Sequence, residues 1–125
     1  MEFKIDTKDT FSTITPVTGV ISANLADELS EMCGNMRQSG SQNFIIDLEQ
    51  CKTMEENAIA GLVALHEECY SEGQSLVFTG ISEQAMTMLK SGETDLLLNI
   101  APKMIEAIDI ISMEILERDL FGEEG

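Results

Sequence analysis

Short apolar runs and amphipathic stripes alternate along this chain with little interruption. Glu2–Thr7 and residues 10–17 are rich in β-branched side chains and flank Lys8-Asp9, the pattern of two strands joined by a turn. Across residues 24–38, Leu25, Leu29, Met32, Cys33 and Met36 recur at helical spacing, with Ser22 or Asn24 as a cap and Gly40 as a stop. Residues 44–48 are apolar on both faces, as a central strand covered by helices on each side must be. A second helix is predicted over residues 55–72. Its inner face carries Ile59, Leu62, Val63, Leu65 and Cys69, and Gly73 ends it.

Leu76-Val77-Phe78 predicts another buried strand. Ser82 then caps a short helix containing Ala85, Met86, Met88 and Leu89, which breaks at Ser91-Gly92. Residues 96–100 predict the last strand. Pro102 opens a final helix to about Leu120, because proline suits a first helical turn. On that helix Met104, Ile108, Ile111 and Ile115 form a core stripe, while Met113, Leu116 and Leu120 form a second one. The second stripe fits either a flank of the sheet or self-association. The order β-β-α-β-α-β-α-β-α predicts an α/β fold: a mostly parallel mixed sheet with an N-terminal hairpin and about four helices. Residues 1–120 read as one domain and residues 121–125 as a short acidic tail.

Composition changes the picture through charge. Seven Lys and Arg against 23 Asp and Glu give a net charge of −16. Such a surface repels phosphate backbones and anionic lipid, so the expected partner is another protein with a basic surface, not nucleic acid. The longest uncharged apolar run, residues 58–65, is too short to span a bilayer, and direct membrane insertion is not expected. Met1 is followed by a charged segment unlike a signal peptide. Cys33, Cys51 and Cys69 form no C-x-x-C pair and lie in apolar runs, which suits buried free thiols and a cytoplasmic location.

Little in the chain declares chemistry. It has no glycine-rich nucleotide loop and no G-x-S-x-G elbow. His66, the single histidine, falls on the apolar face of the second helix, as a half-buried histidine with one hydrogen bond would. His66 and Cys69 are three residues apart, but no second ligand pair completes a metal site, so no metal or cofactor is expected. Glu55 and Glu56 are adjacent, diverge on a helix, and make no acid/base dyad. Thr53-Met54-Glu55-Glu56 matches a capping box. With Asp47 placed inside its strand and a hairpin at the start, a phospho-accepting receiver domain fits poorly. The eight methionines are core filler or adaptable contact surface, and Met86 and Met88 on one short helix suit a docking patch.

The order and spacing of several short motifs resemble the STAS domain family, the fold of bacterial anti-sigma-factor antagonists. Asp47-Leu48 matches a strand ending in Asp-Leu. Glu55-Glu56-Asn57-Ala58-Ile59 falls in register with the Asp-Ser-Ser-Gly-Leu that opens the family's second helix. Leu76-Val77-Phe78-Thr79-Gly80 and Glu106-Ala107-Ile108 fit the following strand and the last helix. The resemblance implies a non-enzymatic partner switch. In it an anti-sigma factor or kinase-like regulator binds around Met54, Glu55, Glu56, Asn57, Ala58, Ile59, Met86 and Met88. In the family the second serine of the motif is phosphorylated, and the added charge disfavours binding. Here Asn57 occupies the acceptor position and has no hydroxyl. The resemblance therefore implies binding that is constitutive, or else a fixed mimic of the modified state supplied by Glu55-Glu56. An accessory subunit of a transporter or sensory complex is the second role that the family suggests.

Overall fold

The architecture, in a computed structural model describing residues 1–122, follows from strands that are apolar on both faces. Hairpin strands β1 (Glu2–Thr7) and β2 (Ser12–Val17) pair antiparallel with Ile5 opposite Ile14. Parallel strands β4 (Phe44–Asp47), β6 (Leu76–Thr79) and β7 (Ile100–Ala101) complete a five-stranded sheet in the order β1-β2-β4-β6-β7. Phe44 lies opposite Leu76, and Ile46 opposite Phe78. These four side chains join the larger core under α1 (Ala23–Gln38), α2 (Ile59–Ser71) and α3 (Glu83–Ser91). Ile45 and Val77 point the other way, onto Ala107 and Ile111 of α4 (Met104–Gly122). A helix layer on each face is what an uninterrupted apolar strand requires.

Local chemistry sets the helix ends. The Ser22 side chain accepts from Leu25 N–H at 3.1 Å and starts α1; Ser82 accepts from Ala85 N–H at 3.2 Å and starts α3. Cys33, Cys51 and Cys69 are buried free thiols. At the α1–α2 seam Cys33 hydrogen-bonds Cys69, and Arg37 Nη2 lies 3.6 Å from Cys69 Sγ. That hydrogen bond and the guanidinium pull the Cys69 thiol below its ordinary range.

The predicted order of strands and helices holds, with four local differences. First, β3 (Val20–Ile21) and β5 (Thr53–Met54) form a separate parallel two-stranded ladder. Two-residue strands carry no periodicity to read. Second, that ladder displaces the expected capping box: Thr53 N–H donates to Gly19 C=O at 3.2 Å, so the donor that Glu56 was to satisfy is already paired. The second helix begins instead as a 3₁₀ turn, Glu56–Ala58, with Glu55 in extended backbone before it and no side-chain cap. Third, of the strand expected over residues 96–100 only Ile100 is in one. A 3₁₀ turn covers Thr94–Leu96, and the strand is Ile100–Ala101. Glu93 turns the chain with φ of 58°, leaving Leu96 and Leu97 exposed and only Leu98 facing the core. Fourth, Asp47 is the last residue of β4 rather than an interior one, although Leu48 N–H still donates to Thr79 C=O. α4 continues through Phe121 to Gly122, and residues 123–125 of the expected tail lie outside the described residues.

Candidate functional site

Three segments converge at the carboxyl end of the sheet: the loop after β4, the ladder of β3 with β5, and the start of α3. Gly80 permits the first approach. It leaves β6 with φ of 71°, and a Cβ there would stand 2.7 Å from Asp47 Oδ1 and 2.8 Å from Glu49 N. Asp47 Oδ1 accepts from Glu49 N–H at 3.1 Å, turning the chain toward the junction, and burial pushes the Asp47 carboxyl above its usual range. The second tie was not readable from sequence. Gln84 on α3 accepts from Met54 N–H at 2.8 Å through Oε1, satisfying the outer edge of β5 and pinning α3 beside it. Its only sequence signal is a face, Gln84, Thr87, Met88 and Ser91, at helical spacing.

This arrangement sorts the sequence-predicted site residues into four groups. Met54 is 3 % exposed and Ala58 fully buried, so both form the floor of the site rather than its contact surface. Glu55, Glu56 and Asn57 are exposed around the 3₁₀ turn, with Glu56 in its first turn, where a carboxylate complements the free N–H groups. Ile59 and Met88 are half-buried and meet across a groove of about 560 Å³, lined also by Glu56, Gln84 and Thr87. Met86 is not part of that groove. Two residues along a helix point to nearly opposite sides, and Met86 lines a different recess of about 600 Å³ with Ile81, Lys90, Ile100 and Pro102. The single docking patch expected of Met86 and Met88 is therefore two grooves, one on each flank of α3.

His66 lies far along α2, its ring 4.6 Å from that of Tyr70. The hydrogen bond expected for it is absent at Nε2, which is buried with no partner among the described residues. Burial lowers its pKa, which favours the neutral ring. Tyr70 donates to Glu114 Oε1 at 2.7 Å and is also bonded by Asn99, so α2, the approach to β7 and α4 close on one another there. Among the described residues, no group of three or more His, Cys, Asp or Glu side chains could hold a metal ion, and no helix is long and apolar enough to cross a membrane.

Comparison with known proteins gives this geometry a setting. The STAS domain family profile matches residues 2–107. No curated protein matches the chain. Among solved structures, an anti-sigma factor antagonist from Mycobacterium paratuberculosis is similar with a TM-score of 0.73 at 15% identity, covering 89% of this chain and 93% of that one. A Ser-to-Glu variant of RsbS from Moorella thermoacetica gives 0.69 at 16%, covering 90% and 96%. The murine Slc26a9 anion transporter gives 0.66 at 12%, covering 83% of this chain but 18% of its own. At these identities the likeness is one of fold.

Proposed function

Because this chain belongs to the STAS domain family, we propose that it is a non-enzymatic protein-binding module that docks a partner on the α2 N-terminal turn and the adjoining flank of α3. The carrying observation is the open groove in which Ile59 and Met88 lie half-buried beside exposed Glu56. Covering the two apolar side chains stabilises a complex by about 1–2 kcal/mol each, since part of each is already out of water. Glu56, Glu55 and the overall charge of −16 select a partner with a basic surface. An anti-sigma factor or kinase-like regulator is the partner class that the family and the antagonist likeness support. Met86 and Lys90 line the opposite flank of α3 and extend the surface for a partner that straddles the helix.

Asn57 gives the module its regulatory character. It stands exposed on the 3₁₀ turn, and its amide offers no hydroxyl to a kinase. Binding is then constitutive, set by expression or by competition between partners, rather than switched by phosphate at that position. Glu55 and Glu56 are fixed charges and cannot be removed by a phosphatase.

The test is affinity capture from native cells with the full chain, Met88→Gln and Glu56→Gln, followed by partner identification and intact-mass measurement of the bait. Each substitution is expected to weaken capture of the same partner about tenfold, equivalent to about 1.4 kcal/mol. Unchanged capture by both variants rejects the groove, and a bait carrying an added phosphate near residue 57 rejects constitutive binding. A second reading, as an accessory subunit of a transporter or sensory complex, draws support from the Slc26a9 likeness. Capture of membrane components through the same residues favours it.

A further inference from the structure

The outer face of α4 carries an apolar stripe that no other part of the described fold covers. Met113, Leu116 and Leu120 succeed one another at spacings of three and four residues, and Ile105 lies on the same side two turns nearer the start of the helix, separated from them by Asp109 and Ser112. Ile105 is 68%, Met113 62%, Leu116 60% and Leu120 58% exposed, while Ala107 and Ile111 on the opposite side are buried against the sheet. Single exposed apolar side chains need no explanation, but three that neighbour one another along the second half of one helix mark a contact surface. Beside the row, Phe121, 70% exposed, borders a recess of about 350 Å³ between the end of α2 and α4, lined also by Tyr70, Glu114 and Glu117.

Charge selects the occupant. Glu106, Asp109, Glu117 and Asp119 all lie on this helix, and among the described residues none of the four is in an ion pair. The one arginine of α4 turns inward, donating to Ser75 Oγ and Asn43 Oδ1 at 2.8 Å each. A second copy of this chain on the same face would bring four like charges against four. An anionic membrane surface is repelled for the same reason. We propose that the outer face of α4 docks an amphipathic helix of a partner protein, with apolar residues three and four positions apart flanked by Lys or Arg. The partner's apolar row lies along Ile105, Met113, Leu116 and Leu120, one large side chain enters the recess beside Phe121, and its cations meet the unpaired carboxylates. Since α4 packs on the sheet face opposite α2 and α3, this site and the groove beside Glu56 can be filled at once, and the domain then bridges two proteins.

The proposal does not depend on the groove, and the experiment keeps the two apart. The full chain is titrated calorimetrically with a synthetic Leu/Lys amphipathic peptide of about five helical turns, and with its Leu/Glu counterpart. The Leu/Lys peptide is expected to bind and the Leu/Glu peptide not to. Leu116→Gln with Leu120→Gln leaves every charge in place and is expected to weaken binding at least about tenfold, with an unchanged circular dichroism spectrum. Asp109→Asn with Glu117→Gln is expected to weaken binding at low salt and to flatten its salt dependence. Met88→Gln is expected to leave binding unchanged. Equal affinity of the wild type and the Leu116→Gln, Leu120→Gln variant overturns the proposal, as does binding of the Leu/Glu peptide. So does a sedimentation result in which the wild type is a dimer that the same double variant dissociates.

Discussion

Replacing Gly80 with alanine probes how firmly the end of β4 is held beneath the groove. Two effects add. The backbone at Gly80 has φ of 71°, where a side chain costs about 1 kcal/mol. The new Cβ would also stand 2.7 Å from Asp47 Oδ1, 2.8 Å from Glu49 N and 3.1 Å from Glu49 Cα. Two of these are backbone atoms, and Asp47 Oδ1 and Glu49 N–H are already joined in the turn that leaves β4. Relief therefore means parting the ends of β4 and β6, an overpacking cost of about 1–3 kcal/mol. The expected loss is about 2–4 kcal/mol. Gly73→Ala is the matched control: its φ is 73°, but no heavy atom lies within 4 Å of the added Cβ, so it should lose about 1 kcal/mol. The entropic effect of alanine on the unfolded chain is common to both variants and cancels in their difference. Urea unfolding followed by circular dichroism measures each loss. Equal losses for the two variants would refute the clash. A Gly80→Ala protein as stable as the wild type would refute the strain as well.

Tyr70 is the only tyrosine in a chain without tryptophan, so its phenolate absorbance reports one site. Burial and its hydrogen bond to Glu114 push its pKa up to about 12, against about 10 in an unfolded chain. The unfolded state then releases its proton first, and this group's stabilising contribution, complete below about pH 10, declines as the pH rises toward 12. A native titration midpoint near 10 would contradict the buried placement. Arg118→Ala removes the two 2.8 Å bonds to Ser75 and Asn43, both buried, and should cost about 1–3 kcal/mol in urea unfolding, with Arg118→Lys recovering part of it. A loss below about 0.5 kcal/mol for Arg118→Ala would mean that water replaces the guanidinium there without penalty.

Pattern alone was enough for the elements whose cause is local or repeated. Ser82 caps its helix as its position predicts, and of the two candidates Ser22 and Asn24 it is Ser22 that caps the first, because a cap needs only a side-chain oxygen and an N–H three residues on. The apolar run around Ile45 announces a strand covered on both faces, since each of its side chains has to leave water whichever way it points. That Asn57 carries no hydroxyl follows from its identity, with no coordinates at all.

Tertiary structure decided the rest, wherever the outcome depends on which distant group arrives first. Thr53 matched a capping box, but Gly19 C=O took its N–H, and the helix opened as a 3₁₀ turn. Met54 read as a contact residue until β3 and Gln84 enclosed it. Met86 and Met88 looked like one patch, and the seating of α3 against the sheet placed them in separate grooves. On α4 the core stripe was legible, but whether the second stripe covers a flank of the sheet was not; packing of Ala107 and Ile111 onto Ile45 and Val77 left Met113, Leu116 and Leu120 in water. Apolarity states that a side chain gains by burial. Only the assembled sheet and its two helix layers determine which side chains are buried and which remain to meet a partner.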